Sequence, residues 1–254
     1  MTRVLYVVGG GRNGSTALGV LLGNAPDAVF AGELRHAARS TRCACGADPC
    51  PVWSRVRPVS DPGWKEAPVG APWASRRGRL NGDGVGLIHD LAHAAQVTWV
   101  VDSSKTPARL LRLARCVPVL PVWLVRDPTD LAASVASRQG QQPQAGRSLG
   151  AFLAWDLWST VTCRAAAHRL GALVLRWEEV AADPVRAARQ IADAGGPDAS
   201  EAARRAVAGA VLPVGHPRVA NRTVDGGFLR WEPTKPGVLS PGWAAAGRLA
   251  ATWR

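Results

Sequence analysis

The residues best suited to chemistry begin at Gly9-Gly10-Gly11-Arg12-Asn13-Gly14-Ser15-Thr16, a glycine-rich stretch between two apolar runs. A loop of this kind between a buried strand and a helix presents backbone N–H groups to an anion, and the helix dipole adds to the attraction. Gly9 and Gly14 have the spacing of the triphosphate-binding Walker loop. That motif continues with Lys and Ser/Thr, the lysine reaching the outer phosphates and the hydroxyl holding Mg²⁺. Ser15 occupies the lysine position here, and the nearby cation is Arg12. ATP or GTP hydrolysis therefore lacks a central part, and a dinucleotide-binding fold is not the expectation. An arginine just ahead of Gly14-Ser15-Thr16 suits a 5′-phosphate carrying a second strongly acidic group, held by amides, two hydroxyls and a guanidinium. A tight turn with a capped helix is the bland alternative.

Further candidates stand where strands should end. Arg126-Asp127-Pro128 closes an apolar run, with Ser134 two helical turns on; a buried Arg–Asp pair would also explain the first of these. Glu33 and His36 follow a second short run, and Glu33 could instead pair with Arg35 or Arg39. Lys105 stands out because Lys65, Lys105 and Lys235 are the chain's only lysines; a solvated surface lysine is its plain reading.

The elements that must position these groups are legible from patterning. Apolar, β-branched runs at 3–8, 28–31, 97–102, 119–125 and 172–177 read as strands. Helices are expected at 17–22, 86–96, 107–115, 128–138, 148–170, 184–194 and 198–211, that at 107 opening on a proline suited to a first helical turn. Alternation of strands and helices predicts an α/β fold, a parallel sheet flanked by helices with a P-loop-like loop. Residues 40–85, rich in Cys, Pro, Gly and Trp, form an irregular excursion, and the tail from Leu212 reads as loop-rich. A single domain over 1–254 is expected.

Composition narrows the function classes. The 254 residues are 47% apolar and 20% charged, as in a soluble globular protein. No apolar run is long enough for a membrane span and no basic-then-apolar leader is visible, so a cytoplasmic protein is expected. Lys+Arg 31 against Asp+Glu 19 gives a net charge of +12. GC-biased coding explains arginine over lysine and the 11 tryptophans, but not the excess of cations. An anionic small ligand is expected rather than nucleic acid, since no basic block or RNA-binding motif occurs.

Arg12-Asn13-Gly14-Ser15-Thr16 resembles the 5′-phosphosulfate loop of sulfotransferases that use 3′-phosphoadenosine 5′-phosphosulfate (PAPS), which often reads Arg/Lys-Ser-Gly-Thr-Thr. Arg126-x-Pro128 with Ser134 resembles that family's grip on the 3′-phosphate, and the two elements stand in the family's order about 110 residues apart. Asp102-Ser-Ser-Lys-Thr-Pro107, Trp177-Glu178-Glu179 and His216-Pro-x3-Asn221-Arg222 are similar to further family segments, Ala220 replacing a glycine in the last. Cys43-x-Cys45-Gly46-x3-Cys50-Pro-x-Trp53 resembles a segment of a bacterial branch. The resemblance covers essentially the whole chain and implies a PAPS-dependent sulfotransferase, with PAPS as co-substrate and no metal required for transfer. It implies Arg12, Asn13, Gly14, Ser15, Thr16, Arg126, Ser134 and Arg222 as nucleotide-binding residues. It also implies Glu33 as base, with His36 as runner-up and Lys105 and Arg12 on the leaving group. A base at Glu33 would need desolvation to raise its pKa toward neutrality. The acceptor, a glycan, lipid or secondary metabolite, is not readable. From another class, a P-loop nucleotide kinase or a non-catalytic nucleotide-binding protein is the alternative.

Two metal-like patterns remain. His89 and His93 share a helical face, but Asp90 stands where zinc proteases carry Glu, and no third ligand is indicated. Cys43, Cys45 and Cys50 could join a histidine around zinc, form a disulfide or stay free. Trp53, Trp64 and Trp73 could line an acceptor pocket or simply pack.

Overall fold

A computed structural model describes residues 1–39, 42–57, 82–141, 149–218, 227–232 and 241–252. In chain order the elements are β1 (Arg3–Val8), α1 (Ser15–Leu22), β2 (Ala28–Gly32), α2 (Gly82–Ala95), β3 (Trp99–Lys105), α3 (Pro107–Leu113), β4 (Val119–Val125) and α4 (Pro128–Gln141). There follow α5 (Leu149–Leu170), β5 (Leu173–Arg176), α6 (Trp177–Ala182), α7 (Pro184–Asp193), α8 (Ser200–Val207), β6 (Val211–Pro213), β7 (Phe228–Arg230) and α9 (Pro241–Ala251). A 3-10 segment, Leu34–Arg39, follows β2 directly, and a shorter one spans Trp53–Arg55.

β1 is apolar throughout because both of its faces are covered. Leu5 and Val7 join the core under α1, α7 and α8, while Val4, Tyr6 and Val8 join the core under α2, α3 and α5. The main sheet runs β2-β3-β1-β4-β5 with every pair parallel, confirming a parallel sheet with helices on both faces. This order settles a point the spacing cannot. Gly9, Gly11 and Gly14 do satisfy Gly-x-Gly-x-x-Gly, so the glycines alone admit a dinucleotide loop. That fold keeps its second strand beside its first, whereas here β3 lies between them. The chain leaves β1 toward one edge of the sheet and β4 toward the other, which opens a crevice between their carboxyl ends.

The tail differs from the loop-rich expectation. β6 and β7 pair as an antiparallel ribbon, and α9 packs on α4. A Cβ on Gly247 would come within 2.8 Å of Thr129 Cα, so small residues allow the two helices to meet closely. Alanine and glycine carry little hydrophobic periodicity, and the packing that fixes this helix is tertiary. Of the 40–85 excursion, 40–41 and 58–81 lie outside the described residues, Trp64 and Trp73 among them. Among the described residues, no helix is long and apolar enough to cross a membrane.

Candidate functional site

The loop after β1 is held open by its own side chains. Asn13 Nδ2 donates to Leu124 O of β4 at 3.0 Å, and Asn13 Oδ1 accepts from Ser15 N at 3.2 Å. Asn13, expected on the nucleotide, thus spends its amide on scaffolding the loop. Gly14 caps α1 at φ 91, and a Cβ there would fall 2.2 Å from the Trp177 ring, so conformation and packing both require glycine. The N-cap Gly14 has no side chain, and no acidic residue stands in the first turn of α1; with the Ser15 N–H taken by Asn13, the remaining amides of that terminus suit an anion. Ser15 and Thr16 are buried in that turn.

The two halves of the expected nucleotide site meet. Arg12 Nε donates to Ser134 Oγ at 3.0 Å, and Arg126 Nη1 donates to Arg12 O at 2.8 Å. Burial lowers the Arg126 pKa, with Asp130, Glu178 and Asp127 opposing it. Glu178 supports this corner by accepting from Asp127 N at 2.7 Å, and Asp127 Oδ1 in turn accepts from Thr129 N. Beside it an open cavity of about 470 Å³ is lined by Gly10, Asn13, Arg126, Asp127, Asp156 and Ser159 among others. That volume suits a small ligand.

Across the sheet, the ends of β2 and β3 bring Glu33 and Lys105 together, Nζ to Oε1 at 2.5 Å. Arg35 Nη2 lies 3.1 Å from Glu33 Oε2, and His36 Nε2 lies 3.7 Å from the same oxygen. Lys105 is buried, so the solvated-surface reading of it fails. Burial pushes the Glu33 carboxyl up, but the charges and hydrogen bonds of Lys105 and then Arg35 outweigh it and hold the group below its ordinary value. The desolvation that a base at Glu33 would need is present, but two cations outweigh it. Arg12 and Lys105 both adopt left-handed backbone, at φ 68 and 70. Strain of this kind, about 1–3 kcal/mol per residue, gathers at functional sites.

Sequence reasoning missed the network beneath Glu33. Asp102, fully buried, accepts from Arg109 Nε at 2.9 Å, from Ser104 N at 2.9 Å and from Leu34 N at 3.4 Å. Ser104 Oγ accepts from Arg35 N at 3.0 Å, so β3 fixes the backbone on either side of that step. A carboxylate directly after the apolar Trp99-Val100-Val101 run of a buried strand was the available signal. His216, which opens the family-like stretch ending at Arg222, lies against Cys43 and Cys50; Asn221 and Arg222 lie outside the described residues. His89 and His93 are exposed, and Asp90 pairs with Arg57 at 2.8 Å.

The chain has the fold of sulfotransferases. It is similar to the sulfotransferase STF9 from Mycobacterium avium at TM-score 0.52 and 14% identity, over 82% of this chain and 68% of that one. It is also similar to the sulfotransferase domain from the Curacin biosynthetic pathway at TM-score 0.51 and 14% identity, over 99% of this chain and 98% of that domain. No family model matches the sequence, and no curated protein matches it.

Proposed function

We propose that this chain is a PAPS-dependent sulfotransferase, moving a sulfuryl group to a hydroxyl, or in second place an amine, of a glycan, lipid or secondary metabolite. The observation that carries this reading is the meeting of Arg12, Ser134 and Arg126 at the crevice where β1 and β4 part, together with a paired Glu33 and Lys105 at the neighbouring strand ends. The fold likeness supports it, and the Ser15 substitution argues against a kinase.

In this reading the α1 terminus, Gly14 N–H, Ser15 and Thr16 receive the 5′-phosphosulfate, and Arg126 and Ser134 receive the 3′-phosphate. Arg222 belongs to the same set by resemblance. The acceptor oxygen attacks sulfur in line, forming the new O–S bond as the bond from sulfur to the bridging oxygen breaks. Glu33 takes the acceptor proton, with His36 as the alternative base. Lys105 and Arg12 balance the charge that builds on the departing adenosine 3′,5′-bisphosphate. An anionic donor drawing Lys105 toward itself would release Glu33 from its strongest cation, and the carboxyl pKa would then rise. Transfer by this route asks no metal of the site, positioning and charge supplying the catalysis.

A thermal shift tests the reading. Adenosine 3′,5′-bisphosphate at 100 times its Kd should add about 2.7 kcal/mol. In a domain of this size that raises the Tm by roughly 5–11 °C. Arg126→Ala should lose most of that shift. A shift with ATP·Mg²⁺ and none with the bisphosphate would overturn the assignment in favour of a kinase.

A further inference from the structure

Away from the crevice, four metal-ligating side chains converge from two distant parts of the chain. Cys43, Cys45, Cys50 and His216 place their ligand atoms within 4.8 Å of one another. Cys50 Sγ lies 3.3 Å from His216 Nδ1, and Cys43 Sγ lies 4.0 Å from it. A tetrahedron built on Zn–S bonds of about 2.3 Å has edges of about 3.8 Å, so the cluster is already close to the size that zinc requires.

The surroundings are built to hold it. His216 is tied by its own backbone, its N–H donating to Phe30 O of β2 at 3.0 Å and its carbonyl accepting from Trp53 Nε1 at 2.7 Å. Ala44 N donates to Pro217 O at 2.9 Å, which pins the cysteine segment to the histidine segment. Trp53 N donates to Cys50 Sγ at 3.5 Å, the outer hydrogen bond that a metal-bound thiolate accepts. Arg218 lies with its guanidinium carbon 4.0 Å from the Trp53 ring centroid, and its charge acts on Cys43 and Cys50. Zinc with three thiolates and a neutral imidazole carries one net negative charge, which a neighbouring arginine balances.

A disulfide would satisfy two sulfurs and leave the third beside the imidazole with no role, and all three cysteines are free here.

We propose that Cys43, Cys45, Cys50 and His216 bind a structural zinc ion. Four protein ligands close the coordination sphere, so the ion has no open position for substrate. Binding releases one proton from each of the three thiols. The ion staples the cysteine segment and the His216 segment to the end of β2, behind the 3-10 segment that carries Leu34, Arg35 and His36. It is independent of the sulfotransferase assignment.

The full chain, purified without chelator from zinc-supplemented cells, should carry about one zinc by plasma mass spectrometry. Cobalt exchange should give the intense visible bands of a tetrahedral centre with thiolate charge transfer in the near ultraviolet. Cys50→Ser and His216→Ala should each lose the zinc, and a chelator should lower the Tm of the wild type but not of either variant. Folded wild type that takes up no zinc would overturn the proposal, as would a mass two hydrogens lower from a disulfide. Weak octahedral cobalt bands, or zinc retained in full by both variants, would overturn it too. The cobalt spectrum belongs to the wild type and so decides even where the variants fail to fold.

Discussion

Replacing Asp102 with Asn exchanges one carboxylate oxygen for an amide nitrogen in a buried polar network. The Asp102 carboxylate is fully buried and meets Arg109, itself buried, at 2.9 Å. Asn can still accept from the Ser104 N–H through Oδ1, but its Nδ2 would face the Arg109 Nε donor, so the substitution removes the charge and the hydrogen bond to Arg109 together. Breaking a buried pair by neutralising one member costs about 3–5 kcal/mol, because the other charge is left in a low-dielectric interior. At about 2–4 °C per kcal/mol in a chain of this size, the Tm should fall by roughly 6–20 °C. Urea unfolding of Asp102→Asn, Arg109→Met and the double variant measures the pairing directly as a double-mutant cycle. The double variant should be more stable than the sum of the single losses implies, by at least about 1.5 kcal/mol, since no charge then remains buried. Additivity within about 0.5 kcal/mol would refute the argument. Turnover gives a second readout, because Asp102 and Ser104 hold the backbone of Leu34 and Arg35 beside Glu33. The single variant should lose kcat while its affinity for adenosine 3′,5′-bisphosphate holds.

Gly14→Ala should cost roughly 1–2 kcal/mol for a left-handed alanine and about 1–3 more for the collision with Trp177. Adding Trp177→Leu should return the steric part and leave the backbone part; no recovery in the double variant would show that the ring does not set the requirement. Glu33→Gln should abolish transfer with bisphosphate binding intact, and normal turnover would remove Glu33 as the base. The same variant tests the ion pair through pH. The folded carboxyl lies below its ordinary value of about 4.5, so the pair's stabilisation is fully present above that value and fades as pH falls through the lowered one. The stability difference between wild type and Glu33→Gln should therefore shrink in acid; a difference that grows there would reverse the sign of the argument.

The sequence by itself determined the strands and the loop, because their signals are local. β-branched runs covered on both faces must read as continuous apolar segments, and the glycine-rich stretch between such a run and a helix marks the loop; that Gly14 must be glycine because the Trp177 ring packs on it was decided by the fold. It also ordered the Arg12 and Arg126 segments, since each marks the carboxyl end of a strand. What local pattern could not decide was adjacency. Strand order, which places β3 between β1 and β2, separates this loop from a dinucleotide loop of the same glycine spacing. The lowering of the Glu33 pKa comes chiefly from Lys105, 72 positions away, and the cysteine trio lies against His216, up to 173 positions away. Burial and proximity to charge are properties of the folded sheet. The shift in a carboxylate's affinity for its proton and the convergence of three thiols on an imidazole exist only once the chain has closed around them.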